Sequence, residues 1–329
     1  MSAREEATIV PTAVGDLHGL VRRPSATGPF PGVVLVDGSG PGTVDGWGGW
    51  PEWVADCGAV VLRHDKPGCG GSPGDWRDQS FEDRADESIA AARVLRSLPG
   101  TDDQAVGLLG ISQGGWVALL AAARDPRAVD FAVSISGPGV TPERQERVRI
   151  ERALRREGFV GRELEDALEW VDERTRRQLA REAPESILAD QRLLAARPWY
   201  EVVTFGAYGE PGVLAFATRI FGFDPVPVVA DVRCPLLLLF GGADDVVPVA
   251  ESVAAFGSAV PTLGSGPSGL AVFPEGNHGL FVADPDPRTP RKEQLAPGVL
   301  PMLEAFLARR SDASRMSATP PGAAPDLSG

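Results

Sequence analysis

Residues 105–124 read AVGLLGISQGGWVALLAAAR, an apolar run, a glycine-rich turn and a second apolar stretch. The first five residues predict a buried strand, and the apolar residues after the turn predict a helix. The turn carries the pattern G-x-S-x-G, centred on Ser112. Gly110 and Gly114 allow a sharp, strained turn where a Cβ would clash, and the start of a helix favours nearby negative charge. This strand-turn-helix unit predicts that Ser112 is a nucleophile, with an ordinary helix N-cap as its alternative role.

A second G-x-S-x-G pattern is centred on Ser72 and has a different context. The residue after this serine is Pro73, which has no N–H group to donate to a developing oxyanion. Ser72 therefore fails as a nucleophile, and Ser112 is the candidate that remains.

A serine hydroxyl needs a base, and the chain has three histidines. His18 lies in a predicted edge hairpin and His64 ends a predicted strand. His278 lies in the loop 275–279 (EGNHG), after an apolar run. We expect His278 to be the base, while His64 is the alternative base or a residue that lines the site.

A carboxylate is needed to fix the tautomer of that histidine. The segment 240–248 (FGGADDVVP) follows a predicted strand and offers two adjacent candidates, Asp244 and Asp245. We expect Asp244 to be the partner of His278. Asp245 is the neighbour that could instead cap the following helix, although that role is open to either residue.

Short apolar runs bounded by Gly, Asp or Pro predict buried parallel strands at 32–36, 59–63, 105–109, 131–135 and 235–240. Segments with helical spacing, such as 81–97 and 116–124, lie between them, so strand and helix alternate. An antiparallel edge is expected from 8–11 and 17–22. The predicted fold class is α/β, with a mostly parallel, doubly wound sheet.

The alternation breaks at about residue 141 and resumes near 231. The intervening segment begins rich in Arg and Glu, with apolar residues on one helical stripe, and becomes rich in aromatic residues. We expect a core of residues 1–140 and 231–310, a helical cap at 141–230 and a disordered tail at 311–329. The cap supplies candidate pocket residues, namely Trp199, Tyr200, Phe205 and Tyr208. Holding the cap helices on the core is their alternative role.

Composition excludes several classes of protein. Lys and Arg total 32 against 45 Asp and Glu, and the net charge of −13 opposes nucleic-acid binding. The three cysteines are widely spaced, without a CxxC pair or a histidine at ligand spacing, so we expect neither disulfides nor a metal site. No apolar stretch approaches the length of a membrane span, and no export signal is seen, so we expect a cytoplasmic protein.

Together the motifs resemble those of the α/β-hydrolases, of the esterase and lysophospholipase-like kind, over roughly residues 20–308 apart from the insertion. The chain order Ser112, Asp244, His278 is the order typical of that superfamily. The matching segments are GSGP (38–41), RHDKPGCGGS (63–72), GISQGG (110–115), GADDVVP (242–248) and GNHG (276–279).

The resemblance implies that the backbone N–H groups of Ser39 and Gln113 form an oxyanion hole. Relatives often have His-Gly where this chain has Asp37-Gly38. Asp37 either orients the loop through backbone N–H groups or is a simple turn residue.

These residues predict hydrolysis of a carboxylic ester or thioester in a small-molecule acyl substrate, through an acyl-enzyme on Ser112 and without a cofactor. A serine nucleophile argues, through the resemblance, against the chemistry of haloalkane dehalogenases and epoxide hydrolases. The alternatives are an acyltransferase, a carbon–carbon bond hydrolase and a non-catalytic ligand-binding homologue. The acyl chain, the leaving group and the oligomeric state are left open by the sequence.

Overall fold

The computed structural model describes residues 5–205, 208–259, 268–282 and 288–318. Its centre is an eight-stranded sheet in the order β1-β2-β4-β3-β5-β6-β7-β8. The strands are β1 (Glu5–Thr12), β2 (Gly15–Arg22), β3 (Phe30–Val36), β4 (Val60–His64), β5 (Thr101–Ile111), β6 (Phe131–Ile135), β7 (Leu236–Gly241) and β8 (Gly269–Phe273). The pairs β1–β2 and β2–β4 are antiparallel and the rest are parallel, which confirms the predicted fold class.

Helices cover both faces of the sheet. The helices outside the insertion are α1 (Trp50–Asp56), α2 (Phe81–Ser97), α3 (Gln113–Arg124), α10 (Val249–Ala259) and α11 (Val299–Ala318). Neighbouring residues of β3 show why two layers form: Val34 and Val36 belong to the apolar cluster that contains α2 and α3, whereas Val33 and Leu35 belong to the cluster that contains α1 and α11. Because side chains alternate along a strand, a continuous apolar run needs cover on both faces.

The segment between β6 and β7 is helical. Its helices are α4 (Pro142–Arg156), α5 (Gly161–Leu179), α6 (Pro184–Arg192), α7 (Tyr200–Thr204), α8 (Pro211–Ile220) and α9 (Pro225–Asp231). Part of this insertion has a small apolar core of its own, contributed by α4, α5 and α7. In the described part of the chain no single helix meets the length and apolarity needed to cross a membrane, and α8 with α9 meets them only as a pair bent by 48°.

Two features differ from the sequence-based expectation. The run before His278 forms a full strand, β8, which pairs in parallel with β7. Helix α11 continues to Ala318, although we predicted that a disordered tail begins at residue 311. The reason is local, because the residues from 311 to 318 include no proline or glycine to stop a helix. Residues 319–329 lie outside the described residues.

Candidate active site

Ser112 occupies a strained turn at the carboxyl end of β5. Its φ is +56°, in the left-handed region that residues other than glycine rarely adopt, at a typical cost of about 1–3 kcal/mol. The two glycines of the motif make the turn sterically feasible. A Cβ on Gly110 would lie 2.0 Å from the carbonyl oxygen of Gly114, and one on Gly114 would lie 2.1 Å from that of Val36. The Ser112 side chain makes no capping hydrogen bond to α3, so it does not act as an ordinary N-cap.

His278 and Asp244 form a direct pair. His278 Nδ1 lies 2.8 Å from Asp244 Oδ2, and the Asp244 side chain is fully buried. The other oxygen, Asp244 Oδ1, accepts hydrogen bonds from the backbone N–H groups of Val246 (2.8 Å) and Val247 (2.9 Å). Asp244 therefore holds the imidazole with one oxygen, and with the other it accepts hydrogen bonds from backbone N–H groups of the turn that follows β7. A proton held on Nδ1 by this carboxylate leaves Nε2 free to accept one.

The sheet topology brings these three residues to one edge. Because β5, β6, β7 and β8 are parallel, Ser112, Asp244 and His278 all follow carboxyl ends of strands at the same edge. Within the described residues no hydrogen bond joins Ser112 Oγ to the imidazole of His278. In unliganded enzymes such a bond is commonly long and tightens when substrate is bound.

The loop 37–41 follows β3 at this same edge. Ser39 and Gln113 line one cavity together with Ser112. Asp37 Oδ1 accepts a hydrogen bond of 2.7 Å from the N–H of Gly38, so the carboxylate does contact a backbone N–H group of the loop. Because the bonded N–H belongs to the next residue, this contact fits both the loop-orienting role and the turn role of Asp37.

The two remaining sequence candidates have partners outside the His278–Asp244 pair. His64 Nδ1 is 3.1 Å from the carbonyl oxygen of Asp65, and burial lowers the pKa of His64. Among the described residues that line the cavity, His64 is absent. Asp245 Oδ2 accepts a hydrogen bond of 2.6 Å from Arg156 in an exposed ion pair. In the structure, His64 therefore does not take the place of His278 in this pair, and Asp245 does not take the place of Asp244.

The excluded serine, Ser72, belongs to a second cluster of Ser, His and Asp that sequence reasoning missed. His18 Nδ1 lies 3.2 Å from Asp65 Oδ2, but Ser72 Oγ accepts a 2.9 Å hydrogen bond from the backbone N–H of His18. Asp65 also accepts bonds from the N–H groups of Val44 (2.7 Å) and Gly71 (2.8 Å). This cluster joins β2 to two loops, and its serine is a buried structural group.

A cavity of about 450 Å³ opens beside Ser112. Of the four aromatic residues predicted for a pocket, Phe205 and Tyr208 line it. The structure does not bring Trp199 and Tyr200 to this cavity. Trp199 packs into the insertion's own core, because α7 lies against α4 and α5. Trp199 therefore packs within the insertion, whereas the alternative role predicted from the sequence was to hold the cap helices on the core.

Most of the cavity wall consists of further apolar residues, among which Phe216 and Phe221 belong to the aromatic half of the insertion that the sequence proposes as a pocket lining. They are Pro41, Trp76, Trp116, Pro138, Pro142, Val213, Phe216, Ala217, Ile220, Phe221 and Val246. On α8, Val213, Phe216, Ala217 and Ile220 have the spacing i, i+3, i+4, i+7, which places them on one helix face. That stripe is the sequence signal that would have identified this wall.

One polar face also meets the cavity. Gln145, Glu146 and Arg149 lie on the same side of α4 and line the cavity. Arg149 makes a bidentate ion pair with Glu146, with N–O distances of 2.5 and 2.8 Å. The cavity wall is thus mainly apolar, with one polar patch formed by Gln145 and the Arg149–Glu146 ion pair. In the described part of the chain, no group of three or more His, Cys, Asp or Glu side chains is placed to hold a metal ion.

Comparison with known proteins identifies a family for this chain. The profile of the "Alpha/beta hydrolase family" matches residues 33–289. A search of curated proteins gave no match.

Solved structures with the same fold include esterases and peptidases. The chain superposes on Est1E from Butyrivibrio proteoclasticus, determined with ferulic acid bound, with a TM-score of 0.57 and 17% identity, covering 93% of this chain and 100% of that one. For the Pyrococcus furiosus esterase PF2001 the TM-score is 0.60 at 14% identity, covering 94% and 92%. For Porphyromonas gingivalis dipeptidyl peptidase 4 it is 0.57 at 17% identity, covering 93% of this chain but only 35% of the peptidase. This chain thus spans about a third of that peptidase, and at these identities the likeness concerns the fold.

Proposed function

The chain belongs to the alpha/beta hydrolase family, and from that premise we propose that it hydrolyses a carboxylic ester or thioester through an acyl-enzyme on Ser112. The observation that carries the proposal is the 2.8 Å bond between His278 Nδ1 and buried Asp244, at the sheet edge where Ser112 is held in its strained turn.

The proposed reaction begins when His278 Nε2 accepts the Ser112 proton as Oγ attacks the acyl carbon. The N–H groups of Ser39 and Gln113 then bind the negative oxygen of the tetrahedral intermediate, and loss of one such donor typically costs about 100- to 1000-fold in kcat. His278 returns the proton to the leaving oxygen or sulfur. Water, activated by the same imidazole, next attacks the acyl-enzyme and releases the acid.

The lining of the cavity supports a substrate with a mainly apolar group. Trp76, Phe216 and Ile220 line the cavity, and burial of an apolar group against them is favourable by about 25 cal/mol per Å² of apolar area removed from water. A volume near 450 Å³ suits a small molecule more than an extended polymer. We therefore propose an apolar or aromatic ester or thioester as the substrate class.

A fluorophosphonate probe tests the nucleophile. We expect labelling of the wild-type protein and complete loss of labelling in Ser112→Ala. The matched control is Ser72→Ala, which alters the serine of the other G-x-S-x-G pattern and should still be labelled. Labelling that persists in Ser112→Ala, or is absent from the wild-type protein, would contradict the proposal.

A substrate panel then separates hydrolysis from its alternatives. We expect turnover of nitrophenyl esters and acyl thioesters of graded chain length, with a sharp optimum. Faster product formation on addition of an amine or alcohol acceptor would favour an acyltransferase. Turnover of peptide amides at a comparable rate would place the protein with the peptidases of this fold.

A further inference from the structure

Two buried cations lie behind the loop 37–41. Lys66 Nζ donates hydrogen bonds to the carbonyl oxygens of Gly38 (2.5 Å) and Gly40 (2.6 Å). The Arg84 side chain approaches the same stretch, and both residues are about 95% buried, with exposed fractions of 4% for Lys66 and 5% for Arg84. The cations therefore contact the loop from its protein side, through its carbonyl groups.

The bond to Gly38 sets the direction of the neighbouring amide. The described chain has no cis peptide bond, and in a trans peptide the C=O and the following N–H point in opposite directions. Since Lys66 holds the Gly38 oxygen, the N–H of Ser39 must point away from Lys66. The N–H of Gly38 is already taken by Asp37 Oδ1 at 2.7 Å. Ser39 thus offers the loop's next free donor, and it lines the cavity with Ser112.

Arg84 joins this loop to the second proposed donor. Its Nη2 donates to the carbonyl oxygen of Asp37 at 2.6 Å, and its Nη1 donates to the side-chain oxygen of Gln113 at 2.6 Å. Arg84 belongs to the first turn of α2, which is fixed by a capping box between Ser80 and Asp83. One guanidinium therefore bridges the loop 37–41 and the side chain of Gln113, the residue that supplies the second proposed donor.

We propose that Lys66 and Arg84 are positioning residues that aim the N–H groups of Ser39 and Gln113 at the oxyanion of the reaction. This role rests on the proposed function. A cation on the carbonyl oxygen also polarises the peptide group, which makes its N–H a stronger donor.

The electrostatic cost of this arrangement supports a role beyond packing. Burial, with the nearby charge of Arg84, lowers the pKa of Lys66 to about 7, and burial lowers the pKa of Arg84 as well. The carboxylate that offsets these charges most directly, Asp37 Oδ2, is 3.9 Å from Lys66 Nζ. Burial also raises the pKa of Glu87 to about 7, so this second acid compensates only in part. Two adjacent buried cations lower the stability of the fold, because both lose their hydration. Apolar side chains of similar volume would fill the same space without this cost.

The test compares Lys66→Met with Lys292→Met. Lys66 and Lys292 are the two lysines of the chain, and Lys292 forms an exposed ion pair with Asp56, so the control makes the same chemical change at a surface lysine. Turnover of the best ester is measured per fluorophosphonate-labelled serine, which removes any loss of folded protein. Affinity is measured for an alkyl boronic acid, which forms a tetrahedral adduct with a serine.

We expect kcat per labelled serine in Lys66→Met to fall about 10- to 100-fold, with a parallel loss of boronic acid affinity and a much smaller change in KM. Equal kcat in the Lys66→Met and Lys292→Met proteins would overturn the positioning role and leave the proposed function intact. Absence of labelling in the wild-type protein would overturn both.

A second variant covers the case in which Lys66→Met does not fold. Arg84→Lys keeps a buried cation but cannot place two separate nitrogens on Asp37 and Gln113. We expect the same fall in kcat and in boronic acid affinity. An unchanged value of both quantities in Arg84→Lys would overturn the role of Arg84.

Discussion

At the residue scale, a few backbone details separate two otherwise similar serines. Ser72 and Ser112 share the pattern G-x-S-x-G, yet Pro73 cannot donate a hydrogen bond, whereas Gln113 supplies an N–H at the start of α3. The structure adds a second difference, because Ser72 Oγ already accepts a bond from the backbone of His18. Ser72 is also buried, with an exposed fraction of 8%.

The two adjacent aspartates after β7 give a residue-scale prediction. We expect Asp244→Asn to lower kcat about 10⁴-fold with little loss of fold, because an amide no longer stabilises the productive tautomer and the imidazolium of His278. Steady-state kinetics on a nitrophenyl ester measure the effect. Asp245→Asn is the matched control, since Asp245 pairs with Arg156 at the surface. Comparable losses in both variants would argue against Asp244 as the specific partner.

At the scale of elements, helix α8 forms much of the cavity wall. Its stripe of apolar residues faces the cavity, and Phe216 also packs edge-on against Trp76, with ring centroids 5.1 Å apart. The polar face of α4 lines the cavity as well, through Arg149 and Glu146. The insertion therefore contributes cavity walls, whereas the sheet edge carries the proposed chemistry.

This division predicts that chain-length preference can be changed from α8 alone. Ala217 is buried and lines the cavity, so we expect Ala217→Leu to shift the optimum of a graded ester series towards shorter acyl chains. Labelling by the fluorophosphonate should be retained. Ala215→Leu adds the same volume to the same helix at a residue that does not line the cavity, and should leave the optimum unchanged. An identical profile in both variants would count against this cavity as the acyl site.

At the scale of the whole molecule, the parallel sheet assembles groups from four distant parts of the chain. The loop after β3, the turn after β5 and the segments after β7 and β8 all leave the same edge of the sheet. The cations Lys66 and Arg84 come from two further segments, the loop after β4 and helix α2. A site built in this way depends on the whole core, and its buried charges affect global stability.

Lys66 gives a prediction on stability and pH. Its pKa is lowered from 10.5 to about 7 in the folded protein, so between these values the unfolded chain binds more protons and the free energy of unfolding rises with pH. We expect this rise in the wild-type protein relative to Lys66→Met, measured by urea unfolding from pH 7 to 10.

One coupled group needs its own control. Lys66 is among the charges that lower the pKa of Glu87, so Lys66→Met changes the titration of Glu87 as well, and the comparison is made in a Glu87→Gln background. The cysteines with raised pKa are present in both proteins. A difference between the two proteins that does not change with pH would show that Lys66 keeps an ordinary pKa.

The sequence by itself determined seven of the eight strands, the backbone difference between the Ser72 and Ser112 motifs, and the loops that carry His278 and Asp244. These features depend on local chemistry, such as an apolar run, a missing N–H or a glycine at a sharp turn, and local chemistry can be read residue by residue. The sequence also predicted a helical insertion, and two of the four aromatic residues that it proposed for a pocket, Phe205 and Tyr208, line the cavity.

Only the tertiary structure decided which aromatic side chains face the cavity and which cations hold the loop 37–41. Trp199 and Trp76 look alike in sequence, because burying an indole is favourable whether it fills a core or walls a cavity. Likewise, the charge of Lys66 would ordinarily be placed on the surface. Its position beneath the loop follows from the pairing of β4 with β3, a contact between distant segments that no local pattern encodes.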